Sequence, residues 1–290
     1  MVRPLSYSSL SMYQECPQRY KFRYIDRIKE KPKHYFSFGQ SVHTALQFLY
    51  GPQLIAPMLD EVLKHYKSNW VREGYKDSEE ENKYFLQGKQ MLNSFYSKHI
   101  KDWKPAFSTE QGFEITIDGA KVRGKIDRID ILPSGNLHII DYKTGKAFEE
   151  GRALSDAQLT LYQLACEDTL GKKAEILTLY HVPSLTPSDS SRHNQDKVDA
   201  LKQEFSNTRS AIENEQFNPK PVNWRCQRCD YLGICPAFSK KSAQTSQKTI
   251  KPSDVSGKLK RLDEKMDKIR TEIRELKDLI VKSKNNDNLL

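Results

Sequence analysis

The sequence predicts an α/β fold, a mixed sheet flanked by helices, on three observations. Apolar residues alternate with polar ones through a central block, at Phe113, Ile115 and Ile117 and again at Val122, Ile126, Ile129 and Ile131. A short apolar run, Leu137–Ile140, follows closely. Segments with helical spacing of apolar residues stand on both sides of this block. A period of two marks strands with a covered face, and a period of 3.6 marks the helices that cover it.

Residues 1–35 interleave aromatics (Tyr7, Tyr13, Tyr20, Phe22, Tyr24) with basic residues (Arg19, Lys21, Arg23, Arg27). From about Phe38 to Trp70 the pattern is mostly helical, with Val42, Leu46 and Leu49 on one face, and a second helix is expected over Asn82–Lys101. Glu110–Ile117 and Lys121–Leu132 read as strands joined at Asp118-Gly119, a hairpin-type pair. A turn at Pro133–Asn136 leads to a third strand, Leu137–Lys143. Ser155 is the expected N-cap of a helix running through Leu170. Ala174–Val182 reads as a strand, the polar Pro183–Asp196 as a loop and Asp196–Phe217 as a helix.

Residues 239–257 have the composition of a flexible linker. Beyond it, over 258–284, Leu259, Leu262, Met266, Ile269, Ile273, Leu276 and Ile280 recur at alternating spacings of three and four, the seam of an amphipathic coiled-coil helix. Such a seam needs a partner surface, so self-association or a partner's helix is expected there, with folding back on the rest of the chain as the plainer reading.

The net charge of +9 and a pI near 9.1 favour a polyanionic partner, nucleic acid before membrane, although a basic protein without such a partner fits equally. No run of 18 apolar residues occurs, so no membrane span is expected. The opening residues Met1–Tyr7 are too polar for a secretory signal, and a cytoplasmic protein is expected. In that setting the five cysteines point to metal ligation rather than disulfides. No G-x-x-x-x-G-K-[ST] motif appears, so the chain carries no P-loop of its own.

The third strand carries the chemistry. Asp141 and Lys143 lie two apart and so share a strand face, beside Asp127 if the Pro133–Asn136 turn closes a hairpin. Two converging carboxylates suit a hard cation such as Mg²⁺ or Mn²⁺, which polarises a phosphoryl oxygen and activates water. A neighbouring lysine can orient that water or stabilise transition-state charge. A lone D-x-K is more often a pair of turn-flanking charges. Here the aspartate ends an apolar strand, and a buried carboxylate requires a partner or an ion.

Gly124–Asp130, Ile139–Gly145 and Gln158-Leu159-Thr160-Leu161-Tyr162 together resemble consecutive motifs of the RecB-like branch of the PD-(D/E)XK nucleases, a resemblance covering roughly residues 5–240. That branch includes CRISPR-associated exonucleases and the nuclease domains of helicase–nuclease machines. His43, in Phe38–Leu46, matches the family's histidine on an N-terminal helix. The resemblance implies a restriction-endonuclease-like core over 1–238. It implies metal ligation by His43, Asp127, Asp141 and the backbone carbonyl of Tyr142, and catalysis by Asp127, Asp141, Lys143, Gln158 and Tyr162. Glu110 fits a family acidic position without a fixed role. The expected substrate is DNA, as single strands or ends, with Arg19, Tyr20 and Arg128 on the nucleic acid. The alternative is an inactive or zinc-stabilised nucleic-acid-binding protein.

Cys226, Cys229 and Cys235 cluster in sequence, and Cys16 stands far upstream. Four thiolates suit a [4Fe–4S] cluster or Zn²⁺, and a C-x2-C alone favours zinc. The arrangement of three C-terminal cysteines and one N-terminal cysteine resembles the iron–sulfur subset of these nucleases, which implies the cluster and, with it, closure of the domain. Cys166, on the helix after Tyr162, is expected to pack as a small apolar residue.

Overall fold

The computed structural model describes residues 3–238 and residues 266, 267 and 271. Its helices are α1 (Tyr7–Glu15), α2 (Pro17–Tyr20), α3 (His34–Leu49), α4 (Leu59–Ser68), α5 (Ser78–His99), α6 (Ala157–Leu170), α7 (Gln195–Glu213) and α8 (Asn223–Cys226). Its strands are β1 (Ser108–Ile117), β2 (Ala120–Ile131), β3 (Leu137–Lys143), β4 (Ala174–His181) and β5 (Thr186–Ser191). They form one mixed sheet in the order β1-β2-β3-β4-β5, antiparallel throughout except for the parallel β3–β4 pair that α6 connects. The mixed sheet flanked by helices is the predicted class.

β3 is apolar on both faces because both are covered. Ile139 joins a core with Phe113, Val122, Leu159 and Phe205, and Ile140 and Tyr142 join a second core with Val42, Leu46 and Phe95. A central strand buried on two sides reads as a continuous apolar run rather than an alternation. Beside β2, Leu5 forms a parallel bridge with Val122, its N–H donating to the Lys121 carbonyl at 2.8 Å and its carbonyl accepting from Arg123 at 2.8 Å. This bridge ties the N-terminal segment to the sheet.

Several boundaries differ from the sequence expectation. The stretch Phe38–Trp70 is two helices, because Gly51-Pro52 ends the first. The segment Pro183–Asp196 contains β5, an edge strand paired with β4. Its inward positions are Ser188 and Ser190, so no apolar alternation announces it, and Ser188 Oγ accepts the Ala153 N–H at 3.1 Å. The N-cap of α6 is Asp156, not Ser155: its carboxylate accepts the N–H groups of Gln158 and Leu159 at 2.9 and 3.1 Å. Residues 1–35 hold α1, α2 and a π-helical turn, Lys21–Ile25, for which the sequence shows no clear period.

The linker over 239–257 and nearly all of the helix over 258–284 lie outside the described residues; Met266, Asp267 and Thr271 are helical and exposed. Among the described residues no helix is long and apolar enough to cross a membrane.

Candidate active site

β2 and β3 run side by side with Arg128 opposite Ile140, which sets Asp127 level with Asp141. The hairpin expected from the Pro133–Asn136 turn is therefore present. Asp127 Oδ2 accepts the Tyr142 N–H at 2.8 Å, and its Oδ1 lies 3.3 Å from His43 Nδ1. Glu110 joins them: one ligand atom from each of His43, Glu110 and Asp127 falls within 4.8 Å of the others.

Glu110 reaches this position through an irregularity. Its φ is +50°, a left-handed conformation within β1. Burial along β2 changes phase opposite it, from even positions up to Ile126 to Ile129. A non-glycine residue held in that region is strained, and such strain is retained where it aims a side chain. The apolar positions change parity in the sequence as well, from Val122 and Ile126 to Ile129 and Ile131, a break that a single alternation over the block passes over.

Asp141 is 3% exposed, with its Oδ2 lying 2.6 Å from Lys143 Nζ but without a hydrogen bond of good geometry. Burial, reinforced by the Asp127 charge and opposed by Lys143, pushes its carboxyl up to about 6. Burial works against a charged His43, but Asp127, with Asp141 and Glu110 behind it, outweighs that and raises the imidazole to about 8. Lys143 is likewise raised, its burial outweighed by Asp141. A histidine and three carboxylates, one of them buried with the Lys143 ammonium beside it, fit a divalent cation of the Mg²⁺ or Mn²⁺ type. His43, Glu110, Asp127 and Asp141 are the side chains that could hold it.

On the other side, Lys143 Nζ donates to Gln158 Oε1 at 3.0 Å and Gln158 Nε2 donates to Tyr162 Oη at 2.7 Å. The two α6 residues, one turn apart, lie on the face that meets Lys143. Asp156 at the head of α6 also pairs with Arg152 at 3.1 Å, which fixes the helix start beside the site. His43, Asp127, Asp141, Lys143, Gln158 and Tyr162 therefore lie in one neighbourhood, with Asp141 outside the group of ligand atoms from His43, Glu110 and Asp127 that fall within 4.8 Å of one another.

The expected nucleic-acid residues do not. Tyr20 has no exposed surface and stacks on Phe217, so its ring is a core element and cannot take a base. Arg128 lies 3.5 Å above the Tyr50 ring and pairs with Asp130 at 2.7 Å, which uses its guanidinium internally. Arg19 pairs with Glu30 at 2.8 Å and with Glu15 at 3.4 Å. Lys125, 3.3 Å from Glu110, adjoins the site, and the sequence pattern does not single it out.

Cys16, Cys226 and Cys229 line one cavity of about 220 Å³, together with Arg19, Lys33 and Trp224; Cys235 is not on its wall. Among the described residues no three cysteine sulfurs approach within 4.8 Å of one another. Thiolates sharing one zinc at 2.3 Å would stand only about 3.8 Å apart. Cys166 is buried, as expected, and burial pushes its thiol up to about 12.

Comparison with known proteins agrees with this geometry. The family model described as the PD-(D/E)XK nuclease superfamily matches residues 4–236. The chain is 25% identical over 265 residues to the gene 69 protein of Mycobacterium phage D29, covering 80% of this chain and 96% of that one. A shorter match, 40% identical over 73 residues, links 24% of this chain to 7% of an ATP-dependent helicase/deoxyribonuclease component from Streptococcus mutans. A solved structure of a candidate exonuclease from Eubacterium rectale shares the fold at a TM-score of 0.50 and 12% identity, over 82% of this chain and 87% of that one. With a family model that matches residues 4–236, most of its length, the chain belongs to the PD-(D/E)XK nuclease superfamily.

Proposed function

We propose that this protein is a Mg²⁺- or Mn²⁺-dependent deoxyribonuclease that acts on single strands or ends of DNA. The observation that carries the reading is the meeting of His43, Glu110 and Asp127 with the buried Asp141 and its Lys143 neighbour. His43, Asp127, Asp141, Glu110 and the Tyr142 carbonyl are assigned to the metal, which supplies Lewis-acid polarisation of the phosphoryl oxygen and a more acidic water. Lys143, steadied by Gln158 and Tyr162, places a fixed positive charge where negative charge develops. The net charge of +9 supports a polyanionic substrate, and the match to a helicase/deoxyribonuclease component favours DNA and the RecB-like branch. End-labelled single strands, end-labelled duplexes and closed circles, each with Mg²⁺ or Mn²⁺, test the reading. Cleavage of the open forms with circles spared supports end-dependent action. Equal cleavage of circles assigns an endonuclease, and no cleavage of any form removes the proposal.

Cys16, Cys226, Cys229 and Cys235 are assigned to a [4Fe–4S] cluster with a structural role, on the support of three of them lining one cavity from opposite ends of the domain. Iron and sulfide near four per chain in protein purified without oxygen supports it. Stoichiometric zinc without iron replaces it with a zinc site. The sequence seam over 258–284 is assigned to self-association or a helical partner, which light scattering of the full chain beside one shortened at Lys251 tests.

A further inference from the structure

A second cavity, of about 740 Å³, opens where the N-terminal segment, β2 and the end of α7 meet, and its wall includes Arg3, Tyr24, Arg27 and Arg123. All three arginines are exposed, and among the described residues none of them has an ion-pair partner. The carboxylates on the same wall are Glu213 and Glu215, of which Glu213 is taken by Arg209 at 2.9 Å. With Arg209 counted the cavity is left with an excess of positive charge.

One of its cations, Arg3, is placed rather than loose. The Leu5–Val122 bridge fixes the segment that carries Arg3, whose guanidinium lies over the Tyr24 ring at 4.5 Å. Arg27 has a φ of +58° and Glu215 one of +51°, so two non-glycine residues on one wall hold left-handed backbone. Strain of that kind is concentrated at places where a ligand is held.

β2 runs from the cavity toward the candidate site. Arg123 and Lys125 lie two apart on β2 and are both exposed, so they share its outer face. Lys125 in turn reaches Glu110 at 3.3 Å. From Arg123 to Asp127 the strand advances about 13 Å at roughly 3.3 Å per residue. That is about four stacked nucleotides at roughly 3.4 Å each, fewer if the nucleic-acid strand is stretched.

We propose that the Arg3–Arg27–Arg123 cavity is a second nucleic-acid subsite, which holds the sugar–phosphate chain of a single strand a few nucleotides from the scissile bond, with Lys125 as the intervening phosphate contact. It rests on the reading of the chain as a nuclease for its substrate but involves no catalytic residue. Arginines supply charge for phosphates, and the guanidinium lying on Tyr24 offers a flat surface for a base.

The test is anisotropy of a labelled oligothymidylate of about 15 nucleotides, within the span of known single-strand sites. The full-length chain is titrated in EDTA at several salt concentrations, as wild type, as the Arg27→Ala/Arg123→Ala pair and as the Arg27→Lys/Arg123→Lys pair. Two lost phosphate contacts should reduce the slope of log affinity against log salt by about 1.4, at roughly 0.7 per contact on a single strand. The lysine pair should restore most of the slope. Hydrolysis of bis(4-nitrophenyl) phosphate with Mn²⁺, a substrate too small to leave the metal site, should be unchanged in both pairs. An unaltered slope in the alanine pair, a lysine pair that behaves like the alanine pair, or a wild type that does not bind the oligonucleotide overturns the subsite. Failure of the nuclease reading has a different signature: no hydrolysis by wild type, while the slope still responds to the arginines.

Discussion

Lys143 Nζ donates to Gln158 Oε1 at 3.0 Å, so the ammonium beside Asp141 is held from β3 and from α6 at once. Two supports from two elements fix a flexible four-carbon side chain in one place, as electrostatic stabilisation of a transition state requires. Lys143→Ala is expected to retain most DNA affinity, which arises from many phosphate contacts, and to lose cleavage by a factor on the order of 10² or more. Gln158→Ala leaves the ammonium in place but less restrained, so a smaller loss in kcat with little change in KM is expected. Single-turnover cleavage alongside a binding isotherm checks both. Undiminished cleavage by Lys143→Ala would remove the site assignment.

Metal affinity should depend on pH in a defined direction. A cation competes with the proton on His43, whose raised value is about 8, and with the proton on Asp141, raised to about 6. Mn²⁺ affinity should therefore rise from pH 6 to pH 8 and flatten above that. Calorimetric titration across this range checks the slope, and a flat profile contradicts the assignment of His43 as a ligand.

Asp141 carries a cost in the metal-free protein. Its folded-state carboxyl titrates near 6, above the ordinary value of 3.8, so the folded chain binds this proton more tightly than the unfolded one. Stability from this group is consequently lost as pH rises from 3.8 through 6. Asp141→Asn should melt higher than wild type in EDTA at neutral pH, by about 2–4 °C for each kcal/mol relieved. The difference should shrink below pH 3.8, where both side chains are neutral. Added Mn²⁺ should raise the wild-type melting temperature more than the variant's.

Gly88 on α5 lies against Tyr66, where an added Cβ would stand 2.1 Å from the phenolic oxygen. Tyr66 is fully buried beside Phe85 and Trp70. Gly88→Ala should therefore destabilise the helical layer by about 1–3 kcal/mol, the usual cost of overpacking, despite alanine's better helix propensity. Denaturant melts check it, and a stabilised variant would show that the α4–α5 contact is looser than described.

The legible part of the molecule is the part in which one periodicity serves one role. β1 to β3, the β2–β3 hairpin and α6 follow from alternation and turn chemistry, and they bring Asp127, Asp141, Lys143, Gln158 and Tyr162 together. What stays hidden depends on contacts distant in sequence or on unusual backbone. β5 buries serines rather than apolar residues. The left-handed Glu110 has no compositional signature, although the phase change opposite it shows in the step from Ile126 to Ile129. Aromatic and basic residues near the N-terminus look alike in sequence whether they bind or pack. Tyr20 packs in the core, and Arg128, farther along the chain, is taken up by Tyr50 and Asp130, while Arg27 faces an open cavity.

On the proposed function, the carboxylates of β2 and β3 hold the divalent cation that cleavage depends on. The most direct test is cleavage of an end-labelled single strand by wild type, Asp127→Asn and Asp141→Asn over a Mn²⁺ titration, with EDTA as the zero point. Cleavage by wild type should vanish in EDTA and return with Mn²⁺. Each variant should be slower by a factor on the order of 10² or more at saturating metal. Wild-type cleavage that persists in EDTA, or an Asp141→Asn variant that cleaves at the wild-type rate, would contradict the metal assignment.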